Sequence, residues 1–448
     1  MDSTRTTGRR SAPALALAIA MAAALLPLAV TAADPAVCGT DDGTGCAPMD
    51  QRVDLATPVF SNPTAVTNPL HPTASLRSEL LMGIVEDLPF RVEVTLMPET
   101  RTITIDGVAV EAVEAQYTAF LDGRIQEVAL DWYAQADDGS VWYLGEDVFN
   151  YEDGVVVDTD GTWMAGRDGP GAMITPADPQ PGDVYRPENI PGLVFEEVVV
   201  LRTGVTVTGP TGLVTGAIEI DELHMDGGHE IKIFAPGYGE FATGSGGEIE
   251  ALALAVPIDA IPGEEPAAIT NIVAAAEAAG TATLDADWAA ATTAIDATNE
   301  AWEPYRLAGV PLWLDRQMTD AIDALTAAVA ANDKSGARLA AIGVARAGLD
   351  LALRHRDPLA VDIARFELWL DQVVVDAAAK DKDGVRGDVA SLEWTRDRFI
   401  GALDTAVTER VEADLATLRA AADAGDLKAA SSTAAELAPV IAEVAAGA

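Results

Sequence analysis

The stretch DWYAQADDGSVWYLGED, residues 131–147, predicts the architecture of the first half of the chain. Its central Asp138-Gly139 pair favours the positive φ angles of a tight hairpin turn, and aromatic and β-branched residues flank the pair on both sides. When the stretch is folded about this turn, Asp131 lies opposite Glu146 on the neighbouring strand. The sequence therefore predicts a β-hairpin that places two carboxylates side by side.

Asp-Gly pairs recur at a regular interval through residues 79–257, which we predict to form one β domain. The pairs begin at Asp106, Asp122, Asp138 and Asp153, with spacings of 16, 16 and 15 residues. Alternating runs such as RVEVTL and EVALDWYA lie between them, as in half-buried strands. We expect an antiparallel β-meander that forms a curled sheet or half-barrel. A proline-rich break around residues 175–192 should lie as a loop over an edge or opening of the sheet.

The second half of the chain, residues 268–448, is alanine-rich and favours helices, and a linker over residues 258–267 precedes it. Four helical hairpins fit this region, with connections near Asp285, Asp333, Asp381 and Asp426. The predicted fold class is α+β, an antiparallel β-meander followed by an all-α helical-hairpin bundle. A short solenoid of helix pairs is the alternative for the helical half.

The first 32 residues have the features of a signal peptide. Arginines precede an apolar run from residue 13 to residue 30, and small residues follow near position 32. We predict a protein that is secreted or held in the cell envelope, with no membrane span after signal removal. Retention of this segment as an uncleaved anchor is the alternative.

Residues 33–78 are rich in Pro, Thr, Asn and Asp and show no clear periodicity, so we predict a flexible tether. The two cysteines of the chain, Cys38 and Cys46, lie within this segment. An exported chain meets an oxidising compartment, where a closely spaced pair forms a disulfide. We therefore predict a local disulfide loop on the tether.

The charge of the chain excludes some partners. The formal net charge is −43 and the sequence pI is about 4.1, which argues against binding to nucleic acid or to an anionic membrane surface. The hydrophobic fraction of 49% is sufficient for globular folding. Cations, basic partners or a salty medium are the expected counterparts of such a surface.

Three motifs carry a resemblance. They are the hairpin quoted above, the following stretch DGTWMAGRDGPGAMITPADPQPGDVYRPE, and FAPGYGEF further along the chain. Together they resemble a family of uncharacterised bacterial exported proteins in which WYAQD…VWYFGE, MPADP…GD.YRQE and APGVG recur in a β-hairpin module. The resemblance covers roughly residues 100–250 and implies export and the β module. It implies no activity, because the family has none established, and LHMDGGHE departs from its usual polar hairpin.

The acids of the quoted hairpin form a candidate cation site. Like charges directly opposite each other on neighbouring strands are destabilising, so Asp131 and Glu146 need a compensating partner. Ca²⁺ favours clustered carboxylate oxygens, and Asp147 is adjacent in the sequence. We predict Asp131, Glu146 and Asp147 as metal ligands. A structural or solvated pair, or the general acid and base of a hydrolase, are the alternatives.

The aromatic residues of the same region form a candidate ligand site, which comprises Trp132, Tyr133, Trp142, Tyr143 and Trp163. Strand alternation puts Trp132 and Tyr143 on one face of the sheet, and Tyr133 and Trp142 on the other. One face would be core, and the other would bind something flat or apolar. Packing of that face against the helical half is the alternative.

Two further groups are candidates for specific chemistry. His224 and His229 flank a turn and could converge on a transition metal, although exposed histidines are the simpler interpretation. In the helical half, Arg365 and Trp369 lie along one helical stripe, and Asp362 is close enough to pair with Arg365. We expect interhelical ion pairs around a buried tryptophan there.

The sequence predicts an exported, non-catalytic binding or interaction protein. Its β domain would bind a small apolar ligand or a divalent cation, or the protein would bind another envelope component. A hydrolase that uses the carboxylate pair and a purely structural envelope protein are the alternatives. The chain contains no Cys-x-x-Cys-His haem motif, no Gly-x-Ser-x-Gly elbow, no phosphate-binding glycine loop and no His-Glu-x-x-His.

Overall fold

The computed structural model describes residues 37–244 and 251–447. The predicted signal peptide, residues 1–32, lies outside the described residues. An antiparallel sheet is followed along the chain by helices, so the predicted α+β fold class is confirmed.

Within the described residues the sheet contains 14 strands, all paired antiparallel. Their bounds are β1 (Ser78–Val85), β2 (Leu88–Ile105), β3 (Val108–Leu121), β4 (Arg124–Gln135), β5 (Val141–Glu152), β6 (Val155–Asp158), β7 (Trp163–Met164), β8 (Ala172–Thr175), β9 (Val184–Ile190), β10 (Val194–Gly209), β11 (Gly212–His224), β12 (His229–Ala235), β13 (Gly239–Gly244) and β14 (Ala251–Val256).

The sheet consists of two meanders rather than one. Strands β1 to β6 form the first meander, β9 to β14 form the second, and the pairing of β1 with β14 joins them. The short strands β7 and β8 pair with β5. The proline-rich break falls between β8 and β9, and β9 is an edge strand, which is where a strand tolerates a residue such as Pro187.

The Asp-Gly pairs form turns as predicted. In the turns at Asp106, Asp122 and Asp153, both the aspartate and the following glycine have positive φ angles, as this class of tight turn requires. The turn at Asp138 is different, because Gly139 alone has a positive φ and the Ala136 N–H donates to the Ser140 carbonyl over 2.8 Å. All four pairs nevertheless connect adjacent antiparallel strands.

The two faces of the first meander are both buried, against different partners. On β1, Leu80 and Met82 belong to a hydrophobic core shared with the helices, whereas Leu81 belongs to a separate core on the opposite face. Because side chains alternate along a strand, one face of the sheet packs against the helical half and the other is the inner face of the curled sheet.

The sheet curls until its two end regions approach each other. Glu146 on β5 and Glu188 on β9 are hydrogen-bonded through their side chains. Trp163 Nε1 donates to Glu188 Oε1 over 3.0 Å. Among the described strands β9 pairs with β10 alone, so the sheet is curled but not closed.

The helical half contains four hairpins, as predicted. Its helices are α1 (Ala267–Leu284), α2 (Trp288–Arg306), α3 (Leu312–Ala330), α4 (Lys334–Ala352), α5 (Pro358–Ala379), α6 (Lys382–Asp397), α7 (Thr405–Ala424) and α8 (Leu427–Gly447). One core lies mainly among α1 to α4 and a second among α5 to α8. In each set of four, the first helix packs against the second and the fourth, so the arrangement is two four-helix units joined by the contact of α4 with α5.

A buried network of charged side chains joins the sheet to the helices. Arg398, which follows α6, donates to Glu93 Oε2 on β2 over 2.6 Å and to Gln116 Oε1 on β3 over 2.7 Å. Arg91 on β2 contacts Asp350 on α4 at 2.5 Å, and Arg365 on α5 contacts the same carboxylate at 3.0 Å. The expected pair of Arg365 with Asp362 is also present, at 3.2 Å. The ion pairs therefore link helix to sheet as well as helix to helix.

Residues 37–77 lie against the sheet instead of extending from it as the predicted tether. Val66 is fully buried, and Leu70 and Leu76 are 6% and 7% exposed. Asn68 donates through Nδ2 to the carbonyls of Gly139 and Pro176, each over 3.0 Å. Apolar residues spaced without periodicity anchor the segment, which is why its packing has no signature in the sequence. The predicted disulfide between Cys38 and Cys46 is present.

Helix α1 is the one described helix that is long and apolar enough, by length and composition alone, to cross a membrane. Its apolar residues Ile269 and Ile272 are fully buried in the core of the first four-helix unit. Of this apolar stretch, 33% is buried inside the described structure.

Candidate functional site

A cavity of about 220 Å³ lies on the inner face of the curled sheet. We call it the sheet cavity. Strands from both meanders line it, because the curl brings their inner faces together. Its aromatic lining comprises Phe90, Tyr117, Tyr133, Tyr185, Phe234 and Tyr238, and its charged lining comprises Glu79, Asp131, Glu196, Glu222, Lys232 and Glu240.

Asp131 is held in the cavity wall by tyrosines. It pairs in register with Glu146, as predicted, and is buried. Tyr143 Oη donates to Asp131 Oδ1 over 2.6 Å, and Tyr133 also hydrogen-bonds this carboxyl. Burial raises the pKa of Asp131 to about 7, in spite of the tyrosine hydrogen bonds that lower it. Protonation of Asp131 removes the like-charge repulsion between the two opposed acids.

Glu146 shares a proton with a third acid, which the sequence did not indicate. Burial and the neighbouring Glu188 raise the pKa of Glu146 well above its usual value. Burial likewise raises the pKa of Glu188 to about 8. Two carboxyls that hydrogen-bond each other need at least one proton between them. Neither residue lines the sheet cavity, so the predicted carboxylate pair presents one acid, Asp131, to that space.

The three predicted calcium ligands are not brought together. Asp147 follows Glu146 on β5 and therefore points to the opposite face of the sheet. There its Oδ2 lies 3.5 Å from Arg101 Nη1. The arrangement separates Asp147 from the other two, and tyrosines and a shared proton satisfy Asp131 and Glu146.

One end of the sheet cavity carries an acid whose hydrogen-bonding capacity is not met. Glu79 on β1 is 8% exposed, and its Oε1 has no hydrogen-bond partner within the described structure. Burial and the charge of Glu240 raise the pKa of Glu79 well above its usual value. Glu240 accepts a hydrogen bond from Thr243 Oγ1. A buried carboxyl oxygen without a hydrogen bond lowers the stability of the folded protein. Glu79 Oε1 can therefore accept a hydrogen bond from a donor that enters the cavity.

The group Glu196, Glu222 and His224 has the spacing of a metal site, with ligand atoms within 4.8 Å of one another. Two positive charges already compensate these acids. Lys232 Nζ lies 2.5 Å from Glu222 Oε2. Although burial opposes protonation, hydrogen bonds to Glu196 and Glu230 raise the pKa of His224 to about 10. A divalent cation here would have to displace both charges, so the residues fit a metal poorly.

The predicted pair of histidines does not form a site. His229 Nδ1 contacts Asp221 Oδ1 at 2.9 Å at an exposed position, away from the His224 cluster.

The predicted division of aromatic rings between the two faces is wrong. Tyr143 pairs with Tyr133, and their rings stack with centroids 5.0 Å apart. The register shifts between Asp131 and Tyr133, and Gly145 has a φ of +130° opposite that shift. This bulge reverses the alternation of β5, so Tyr143 lies beside Tyr133 instead of Trp132.

Of the five predicted ligand-binding aromatics, Tyr133 lines the sheet cavity. Tyr143 stacks on the ring of Tyr133 but does not line the cavity itself. Each of the three tryptophans is buried in the core and donates through Nε1 to a protein acceptor: Trp132 to Glu114, Trp142 to Ser140 and Trp163 to Glu188. Their indole groups are satisfied structural donors.

Sequence reasoning missed most of the charged lining because it comes from distant strands. A signal was present in the second meander, where GAIEIDELH and HEIKIF place charged residues at alternate positions of apolar strands. Glu222 and Lys232 occupy such inward positions, with Ile220 and Phe234 two residues away on the same faces.

No protein-family model matches the chain, and no curated protein is significantly similar to it. The resemblance to the exported β-hairpin family therefore stays a prediction.

Proposed function

We propose that this protein is an exported, non-catalytic binding protein whose sheet cavity takes a small organic amine with an apolar body. The observation that carries the proposal is the Oε1 atom of Glu79, which has no hydrogen-bond partner among the described residues and lies at one end of a cavity walled by aromatic rings. An ammonium group would donate to Glu79 and Glu240, and the rings would contact the apolar body. The disulfide between Cys38 and Cys46 supports an extracytoplasmic location.

Two features favour a binding protein over the alternatives considered from the sequence. A hydrolase would need both carboxyls of its pair in the cleft, and Asp131 lines the cavity without Glu146. A site for a divalent cation alone is disfavoured because Lys232 and His224 already neutralise the acids of the best-spaced cluster.

Isothermal titration calorimetry with 2-phenylethylamine tests the proposal. We expect saturable binding of the amine and at least tenfold weaker binding of 2-phenylethanol, which has the same body without the charge. Burial and Glu240 raise the pKa of Glu79 in the empty cavity and an ammonium group beside it would lower that pKa, so binding of the ammonium form should release protons. Titrations in buffers of different ionisation enthalpy measure that release.

The matched variants are Glu79→Gln in the cavity and Glu99→Gln at an exposed position on β2. Glu79→Gln should weaken amine binding at least tenfold and abolish the proton release, while Glu99→Gln should behave as the parent chain. The proposal fails if the alcohol binds as tightly as the amine, if both variants bind equally, or if calcium chloride gives the only binding isotherm.

A further inference from the structure

A second cavity, of about 470 Å³, lies on the opposite face of the sheet, where β1 and β2 meet α3, α4 and α5. We call it the junction cleft. Its apolar walls include Phe90, Phe120, Trp313 and Trp369, and its volume is within the range of small-molecule sites. The sheet lies between the junction cleft and the sheet cavity, although Phe90, near the start of β2, lines both.

Two guanidinium groups line the junction cleft without a carboxylate partner. Arg346 on α4 donates through Nη2 to Gln372 Oε1 over 2.8 Å, and its guanidinium carbon lies 4.6 Å from the ring centroid of Trp369. Arg316 on α3 lies over Trp313 at 5.5 Å. Within the described chain neither forms an ion pair with an acid. This is notable in a sequence with 71 acidic and 28 basic residues.

Stacking on an indole ring fixes each guanidinium plane and leaves edge N–H groups free to donate. Trp369 is itself stacked on Phe120 with centroids 5.6 Å apart, so the platform under Arg346 is rigid. Burial and the nearby Arg91 lower the pKa of Arg346 to about 10, although the charges of Asp350, Glu93 and Asp388 act in the opposite direction. An anion in the cleft would supply the direct ion pair that Arg346 lacks among the described contacts.

The other charged groups of the cleft do not fill this role. Arg91 and Arg365 are committed to Asp350 and Glu93 in the buried network. Asp87 and Asp320 also line the cleft, but both are exposed at its rim and neither contacts Arg346 or Arg316 within ion-pair distance among the described contacts. The interior of the cleft is therefore apolar with a positive end.

We propose that the junction cleft binds a small organic anion with an apolar body, and that Arg346 and Arg316 hold its acidic group against Trp369 and Trp313. A medium-chain carboxylate is the simplest ligand of this class. The assignment is independent of the amine proposed for the sheet cavity, because different residues on opposite faces carry it.

Titration calorimetry with sodium decanoate tests the assignment on the whole chain. We expect saturable binding of decanoate, at least tenfold weaker binding of decanol, and no comparable binding of inorganic phosphate, which has charge without an apolar body. Arg346→Met should weaken decanoate binding at least tenfold. Arg316→Met, at an exposed position where folding is not at risk, should weaken it by a smaller factor.

The matched control is Arg338→Met, on the same helix but outside the junction cleft. It should leave decanoate binding unchanged, and so should Glu79→Gln in the sheet cavity. The assignment is overturned if decanol binds as tightly as decanoate, if phosphate alone accounts for the affinity, if Arg346→Met and Arg316→Met both bind like the parent, or if Arg338→Met weakens binding equally.

Discussion

Asp131 shows how burial converts an unfavourable pair of acids into a stable one. Its neighbour across the strands is Glu146, and Tyr143 and Tyr133 donate to it. With a pKa near 7 in the folded protein and 3.8 as the ordinary value, Asp131 carries a proton through much of the acidic range in which the unfolded chain has lost it.

This difference predicts a pH dependence of stability. Between about pH 4 and pH 7 the folded state holds the Asp131 proton more tightly than the unfolded state does, so the contribution of Asp131 to the free energy of unfolding falls as pH rises and levels off above about 7. Asp131→Asn removes this contribution, and we expect a smaller loss of stability between pH 5 and pH 7.5. Urea unfolding at the two pH values measures it.

The neighbouring Asp147→Asn is the control, because Asp147 lies on the other face near Arg101. It should retain the full pH dependence of the parent chain. Equal pH dependence in Asp131→Asn and the parent would show that Asp131 does not hold its proton on folding.

The opposition of Asp131 and Glu146 could be predicted from the sequence because it depends on a local turn and on a period of two residues. The position of Tyr143 could not, because the bulge at Gly145 reverses the alternation within the same hairpin. The convergence of Glu79 and Glu240 on one cavity depends on the pairing of β1 with β14, which no local pattern encodes.

The Asp-Gly turns do more than reverse the chain, since one of them also docks the sheet on a helix. Gly154, in the turn after β5, approaches α6 so closely that an added Cβ would lie 2.2 Å from the backbone nitrogen of Gly387. Gly107, in the turn after β2, has a similar positive φ, and no atom lies within 4 Å of its added Cβ.

Substituting these two glycines separates the cost of a side chain at positive φ from the cost of a steric clash with α6. Gly107→Ala should lower the free energy of unfolding by about 1 kcal/mol, which is the penalty for a side chain at positive φ. Gly154→Ala should cost at least about 2 kcal/mol more, because backbone atoms of α6 cannot move away as a flexible side chain would. Urea unfolding measures both, and equal costs would mean that the turn does not contact α6.

The helical hairpins were predictable because their connections are local. Asp333 and Asp381, in the similar stretches ANDKSGAR and AKDKDGVR, each accept from the backbone N–H three residues later and so cap α4 and α6. The grouping into two four-helix units was not predictable, since the contacts of α1 with α4 and of α5 with α8 are long-range.

The attachment of the helical half to the sheet depends on Arg398, which donates to groups on β2 and β3. Arg398→Met leaves Glu93 with one fewer donor in a buried site, and we expect a loss of roughly 3–5 kcal/mol. Arg410→Met, which removes a half-exposed pair with Asp414, should cost less than about 1 kcal/mol. Comparable losses in urea unfolding would contradict a structural role for the network.

In the whole molecule, the sheet lies between two cavities of opposite character. The sheet cavity on its inner face is lined by acids and tyrosines, and the junction cleft on its outer face is lined by helix arginines that lie over tryptophan rings. The strongly negative surface makes the two unpaired arginines of the junction cleft exceptional, because most other described arginines contact a carboxylate.

Because the buried charged network and the shared hydrophobic cores cross from sheet to helices, the two halves should unfold together. Tryptophan fluorescence, to which Trp132, Trp142 and Trp163 of the sheet contribute, and far-UV circular dichroism at 222 nm, which reports on the helices, should give coincident urea transitions. Two separated transitions would mean that the interface contributes little.

A crystal structure of the chain soaked with 2-phenylethylamine would show directly whether the curl of the sheet creates a binding site. We predict electron density for the amine in the sheet cavity, with its nitrogen within hydrogen-bond distance of Glu79 and its ring against Tyr133. An empty, water-filled sheet cavity at saturating amine, or density for the amine at the surface alone, would contradict the proposed function.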